Sequence, residues 1–238
     1  MNKIIIFGFS HNGTSILKSI IGHIDNVYVI FNETKYITEE HINKAKKNNK
    51  DTIIIKVTQH HISENFFDDI EYKDYIKYFI IRNPAYVFSS INRRSNYNVW
   101  ESHSLEKYTN IAKKFVELQN DYRLNKSIFL IRYEDLFINN YQNLTNIIKN
   151  TKFLNFNDKI YNNELYKNYI NDDVDIPDTQ PIDETDGENH KKFRAFQINQ
   201  KFENMNNINK IDLTKEQIEF IKNDSYIKIL YPDINDLI

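Results

Sequence analysis

Gly8-Phe-Ser-His-Asn-Gly-Thr-Ser15 carries the residue types of an anion site at the spacing such a site needs. Gly8 and Gly13 permit a tight loop, and the hydroxyls of Thr14 and Ser15 can cap the helix that follows and donate to an anion. The spacing is that of a phosphate-binding loop, G-x-x-x-x-G-K-[S/T], with one departure. Thr14 stands where a nucleoside-triphosphate loop carries its lysine. That lysine reaches the β- and γ-phosphates, so its absence argues against triphosphate chemistry and for a loop that cradles a different phosphate. Loop N–H groups and the helix dipole supply partial positive charge, which makes Ser10, His11, Asn12, Gly13, Thr14 and Ser15 the candidate contacts. Other polar residues stand out because they close apolar runs: Glu33-Thr34, Lys56 to His61, and Arg82-Asn83-Pro84.

Such residues need a scaffold, and the pattern around them supplies one. Lys3 to Phe7 reads as a buried strand, and Ile16, Leu17, Ile20 and Ile21 recur at helical spacing from Thr14 onward. Further strands are expected at Val27–Phe31, Thr52–Val57, Tyr78–Ile81 and Ile128–Ile131. Helices are expected from Thr38 with Glu40-His41 to the lysines before Asn48-Asn49, over Pro84–Arg94 and Leu105–Tyr122, and last over Thr214–Lys222. β-Branched runs separated by helices predict an α/β fold with a central, mainly parallel sheet covered on both faces. In such sheets ligands bind at the carboxyl ends of the strands, where the unusual polar residues cluster. No internal repeat is present. Residues 171–195 include an acidic, proline-containing stretch and are expected to form an exposed or ligand-covering loop.

Composition bounds the function. A chain of 238 residues can bury one sizeable core, so a single domain over 1–238 is expected. A net charge of -2 gives no general attraction for nucleic acid, and a local cationic pocket remains compatible with it. The absence of cysteine removes disulfides, thiolate metal sites and cysteine nucleophiles. With no H-E-x-x-H pattern and no Walker-B-like aspartate, no metal site is expected. The first apolar run is too short for a signal-peptide core or a membrane span, so the expectation is a cytoplasmic protein with no membrane segment.

Four segments in order resemble the sulfotransferases that use 3′-phosphoadenosine-5′-phosphosulfate (PAPS). Gly8 to Ser15 is similar to the 5′-phosphosulfate loop, P-[K/R]-S-G-T-[T/S], and Lys56-Val-Thr-Gln59 to a K-[T/D]-P element after the third strand. Arg82-Asn-Pro-Ala-Tyr-Val-Phe-Ser-Ser90 resembles the 3′-phosphate site, R-[D/N]-P-x-x-x-x-x-S. Ile131-Arg-Tyr-Glu-Asp-Leu136 is close to [LV]-R-Y-E-D-L and precedes an expected helix over Asn140–Asn150. The resemblance covers roughly the first two thirds of the chain, and the Glu33-Thr34 pair resembles the tyrosylprotein-type and related bacterial branch.

The resemblance implies a P-loop-like three-layer fold, PAPS as donor with 3′-phosphoadenosine-5′-phosphate (PAP) as product, no metal, and a hydroxyl acceptor on a glycan, lipid, peptide or small metabolite. It implies three catalytic residues: Glu33 as general base, Lys56 as the cation for the transferring and leaving groups, and His11 in the loop. His60 and His61 are alternative bases, and Arg82 with Ser90 is the 3′-phosphate site. Arg93 and Arg94 read as surface charges, while Lys191, Lys192 and Arg194, beside Phe193, match a late basic segment that closes over the nucleotide. Two departures stand out: His11 replaces the loop's lysine or arginine, and Ser10 its proline. Histidine is cationic only near or below about pH 6.5. Two other classes stay open, a small-molecule P-loop kinase and a non-catalytic nucleotide-binding protein derived from a sulfotransferase.

Overall fold

A computed structural model describes residues 1–30, 33–58, 70–93, 104–121, 127–157, 161, 204, 206 and 210–238. Five strands, β1 (Asn2–Gly8), β2 (Val27–Val29), β3 (Thr52–Thr58), β4 (Tyr75–Ile81) and β5 (Ile128–Arg132), form one parallel sheet in the order β2-β3-β1-β4-β5. Between them lie α1 (Thr14–Gly22), α2 (Glu39–Lys47), α3 (Pro84–Asn92) and α4 (Leu105–Gln119). α5 (Gln142–Asn150), α6 (Lys215–Asn223), α7 (Ser225–Leu230) and α8 (Ile234–Leu237) follow β5. The expected α/β fold, a parallel sheet flanked by helices, is the fold observed. Among the described residues no helix is long and apolar enough to cross a membrane.

The described residues gather into two compact units. One holds Met1–Ile6, Ser15–Val57 and the described residues from 145 to 161. Here β2 pairs with β3 in the register Val27 to Thr52, Tyr28 to Ile53 and Val29 to Ile54. Leu17, Ile20 and Ile21 of α1 are fully buried, as the helical spacing requires. α2 starts where Thr38 caps it: the Thr38 hydroxyl accepts from the His41 N–H, and His41 Nδ1 accepts from the Thr38 N–H. A histidine thus closes a capping box that glutamate usually closes.

The other unit holds Phe7–Thr14 and the described residues of 58–144 and 204–238. β4 pairs with β5 from Lys77 and Ile128 to Ile81 and Arg132. The expected β4 began at Tyr78, because Lys77 interrupts the apolar run. In the structure Lys77 is buried and its ammonium donates to the Tyr72 carbonyl at 2.7 Å, so the strand extends back to Tyr75. Phe9, directly after β1, packs its ring on Tyr108 of α4 and Phe88 of α3, with centroids 5.4 and 6.1 Å away. This aromatic cluster fixes the start of the loop on the helices behind it.

Several boundaries move for local reasons. β2 stops at Val29, although the Ile30 N–H still bonds the Ile54 carbonyl, and Phe31 lies outside the described residues. α5 begins at Gln142 and not Asn140, because Asn139, Asn140 and Tyr141 all have left-handed backbones with φ of 48°, 53° and 65°. The last helix is followed by two more. Asp224 ends α6 and at once caps α7, its carboxylate accepting from the Ile227 N–H at 2.9 Å.

Candidate functional site

The loop between β1 and α1 is shaped by its two glycines. A Cβ on Gly8 would stand 2.5 Å from the Ile80 carbonyl oxygen, so only glycine lets β1 leave the sheet this close to β4. Gly13 has φ of 91°, a conformation that L side chains rarely adopt. Between them the Asn12 N–H closes a turn onto the Phe9 carbonyl at 3.2 Å. Asn12's side chain is fully buried, and its amide donates to the Ile80 carbonyl at 3.2 Å. That side chain braces the loop against β4. Ser10 and Thr14 are also buried, while Gly13 and Ser15 are partly exposed.

Within the first unit, three residues singled out by the sequence meet. The Lys56 ammonium, near the end of β3, lies 2.8 Å from the Glu33 carboxylate and donates to Ser15 Oγ at 3.0 Å. The Lys56 and Glu33 side chains are only 7% and 8% exposed, so each charge is stabilised by the other in place of water. Lys56 does not snorkel to solvent. Lys18, which the apolar periodicity of α1 passes over, is also buried and donates to the Ile30 carbonyl at 3.1 Å. It ties α1 to the chain three residues ahead of Glu33.

Within the second unit the cluster is built on Arg82, one residue past β4. Its Nε and Nη2 both donate to Asn206 Oδ1, at 2.8 and 2.6 Å, and Nη1 donates to the His11 carbonyl at 3.2 Å. The guanidinium lies over the Tyr133 ring with its central carbon 4.5 Å from the centroid. Burial draws the guanidinium below the usual arginine value, opposed by Tyr133 and Glu134. His11 itself has a left-handed backbone, φ 64°, and its Nδ1 is 2.8 Å from Ser90 Oγ. His11, Ser90 and Arg82 therefore form one connected group.

Behind Arg82 stands Glu134, from the Arg-Tyr-Glu-Asp-Leu segment. Its Oε1 accepts from the Asn83 N–H and from Asn206 Nδ2, both at 2.9 Å, and its Oε2 lies 3.4 Å from the Tyr231 hydroxyl. Asn83 caps α3 through the Ala85 N–H at 3.0 Å, with Pro84 at the first helical turn. The motif's glutamate was legible in the sequence as a pattern, and its role as an acceptor was not. Asn206 carried no signal, being one asparagine in an asparagine-rich stretch 124 residues from Arg82.

Of the remaining candidates, Arg93 donates to the Lys210 carbonyl at 2.8 Å, and its side chain is exposed. His60, His61, Arg94, Lys191, Lys192 and Arg194 lie outside the described residues. Among the described residues, no three His, Asp or Glu side chains converge in a way that could hold a metal ion.

Solved structures supply the comparison. The mouse sulfotransferase SULT7A1, crystallised with PAP, aligns over 97% of this chain and 88% of its own, with 14% identity and a TM-score of 0.51. The sulfotransferase domain of the olefin synthase from Synechococcus PCC 7002 aligns over 83% of this chain and 93% of its own, with 14% identity and a TM-score of 0.44. No protein-family model and no curated relative matches the sequence. At this identity the first likeness establishes the fold, and the fold is that of a sulfotransferase.

Proposed function

We propose that this chain transfers a sulfuryl group from PAPS to a hydroxyl acceptor by in-line displacement. One observation carries the reading. A phosphate loop without its own lysine has its Ser15 hydroxyl engaged by the ammonium of Lys56 from β3, and that ammonium is paired with a carboxylate. The loop thus gains a cation beside a potential base, and no triphosphate-gripping lysine.

The bound donor would supply the sulfuryl group and leave as PAP. The chain's own residues then divide the work. Glu33, held as a carboxylate by Lys56, accepts the acceptor's hydroxyl proton. Taking that proton neutralises Glu33 and so releases the Lys56 ammonium to stabilise negative charge on the departing phosphate. Proton acceptance and charge stabilisation are coupled through one 2.8 Å contact. Thr14, Ser15 and the loop N–H groups suit the 5′-phosphate, at the N-terminus of α1. Arg82 and Ser90 suit the 3′-phosphate. Of the five guanidinium N–H groups, three are engaged among the described residues, leaving one on each terminal nitrogen for an anion. Lys191, Lys192 and Arg194 remain the proposed late basic segment. One domain, a glycan, lipid, peptide or small-metabolite hydroxyl as acceptor, and a cytoplasmic setting complete the proposal.

Thermal-shift titration tests the donor, because a ligand that binds only the folded chain raises its melting temperature by mass action. PAP should stabilise the protein and ATP with magnesium should not; the reverse result would favour the kinase. Sulfate transfer from PAPS to a panel of hydroxyl acceptors tests turnover. One observation favours the non-catalytic alternative, the engagement of the His11 ring with Ser90 in place of a loop cation. Stabilisation by PAP with no transfer to any acceptor would select it.

A further inference from the structure

Arg82 can read a phosphate only if its guanidinium is held in one plane, and a free arginine side chain samples many rotamers. In this chain a side-chain amide holds it. Asn206 Oδ1 takes the Nε and Nη2 donors together, fixing one whole edge of the fork. The amide is fixed in turn, since its Nδ2 donates to Glu134 Oε1 at 2.9 Å and its backbone N–H to Asn204 Oδ1 at 3.0 Å. Asn206 is 8% exposed, so water does not compete strongly for these bonds. We infer that Asn206 is a positioning residue for the 3′-phosphate end of the donor, an amide interposed between Glu134 and Arg82 that passes on orientation without cancelling charge. The inference rests on the donor reading above.

The chemistry explains the interposed amide. A carboxylate bonded directly to Arg82 would hold the fork equally well and would neutralise the cation that the phosphate needs. With Asn206 between them, the carboxylate at one remove orients the amide, the amide presents a neutral oxygen to Nε and Nη2, and the guanidinium keeps its charge for the ligand. Asn83 links the same carboxylate to the cap of α3, the helix that carries Ser90. Both proposed 3′-phosphate contacts are therefore set by one acceptor, Glu134.

Calorimetric titration of the full chain with PAP and with adenosine 5′-monophosphate isolates the effect, because the second probe lacks the 3′-phosphate. Asn206→Ala should weaken PAP by roughly tenfold to a hundredfold, the value of a hydrogen bond to a charged group, and leave the monophosphate unchanged. Asn206→Asp has the same shape and keeps an acceptor on Arg82 but turns the Nδ2 donor to Glu134 into a carboxylate oxygen. A melting curve for each variant therefore guards against a folding defect. The charge that Asn206→Asp adds should weaken PAP more than the alanine does and again spare the monophosphate. Equal losses for both nucleotides would mean a merely structural role and overturn the inference, as would unchanged PAP affinity in both variants. Tighter PAP binding in Asn206→Ala would also overturn it, by making Asn206 a plug on the arginine. A parent chain that binds neither nucleotide would instead refute the donor reading, and the inference with it.

Discussion

Lys56, near the carboxyl end of β3, and Arg82, just past that of β4, are both buried cations, and their charges are handled in opposite ways. Lys56 meets a carboxylate at 2.8 Å, so its charge is balanced inside the protein. Every hydrogen bond that the Arg82 guanidinium donates among the described residues ends on a neutral oxygen, from an amide side chain or a backbone carbonyl. The difference separates two tasks. A cation balanced by a base is available when that base takes a proton, which suits a step in a reaction. A cation held by neutral acceptors keeps its charge at all times, which suits a standing grip on an anion.

The comparison breaks most sharply at Glu33. Glu33→Gln should lower sulfate transfer by about a hundred- to ten-thousandfold, the usual worth of a general base, while PAP affinity stays within a few fold. Steady-state rates beside calorimetry check this, and full activity would pass the base to His60 or His61. Next in size is Arg82→Ala, which should cost about 2–5 kcal/mol of PAP affinity, with a folded chain by circular dichroism. Retained affinity would sink the 3′-phosphate assignment. Gly8→Ala should destabilise the fold by about 1–3 kcal/mol, since its Cβ would meet the Ile80 carbonyl; a melting curve reads it. Smaller still, His11→Ala and Ser90→Ala should each weaken PAP by about 0.5–1.5 kcal/mol, and the double variant by less than their sum, because both cut one 2.8 Å contact.

The smallest effect concerns alkaline pH. Burial, with Glu134 adding to it, pushes the Tyr108 and Tyr231 phenols well above their ordinary value. The folded chain therefore keeps protons that the unfolded chain releases from about pH 10 upward. Stability should fall as pH rises beyond that point, since the unfolded state then binds fewer protons. Melting temperatures taken across pH 9 to roughly 11 should decline less steeply in Tyr231→Phe than in the parent.

Much of this was legible in the chain. Runs such as Ile4-Ile5-Ile6 and Ile53-Ile54-Ile55 announce strands buried on both faces, and Gly8 and Gly13 mark the loop because backbone geometry demands glycine there. Buried lysines were the main obstacle. Lys18 sits in the apolar face of α1 and Lys77 inside β4, and each is accommodated by a backbone carbonyl that no local pattern reveals. Asn206 was invisible for a related reason. Its meaning comes from Arg82 and Glu134, which are remote in sequence, and an asparagine says nothing about partners it has yet to meet. Glu33 and Lys56 both close apolar runs and so stand out one by one, but their mutual contact depends on how β2 and β3 pair in space and not on any local pattern.

The strand order has a consequence for how the chain reaches this state. β1 comes first in the sequence and lies mid-sheet, between β3 and β4. Parallel neighbours cannot be joined by a hairpin, so each pairing waits for a crossover to close a long stretch of chain. Until then Ile4, Ile5, Ile6 and Phe7 form an uncharged, β-prone segment with unpaired edges on both sides. Assembly is therefore slow and open to self-association during that wait. The same strand that launches the glycine loop is thus a hazard on the way to folding, and dilute, cool refolding is the condition that favours its proper partners.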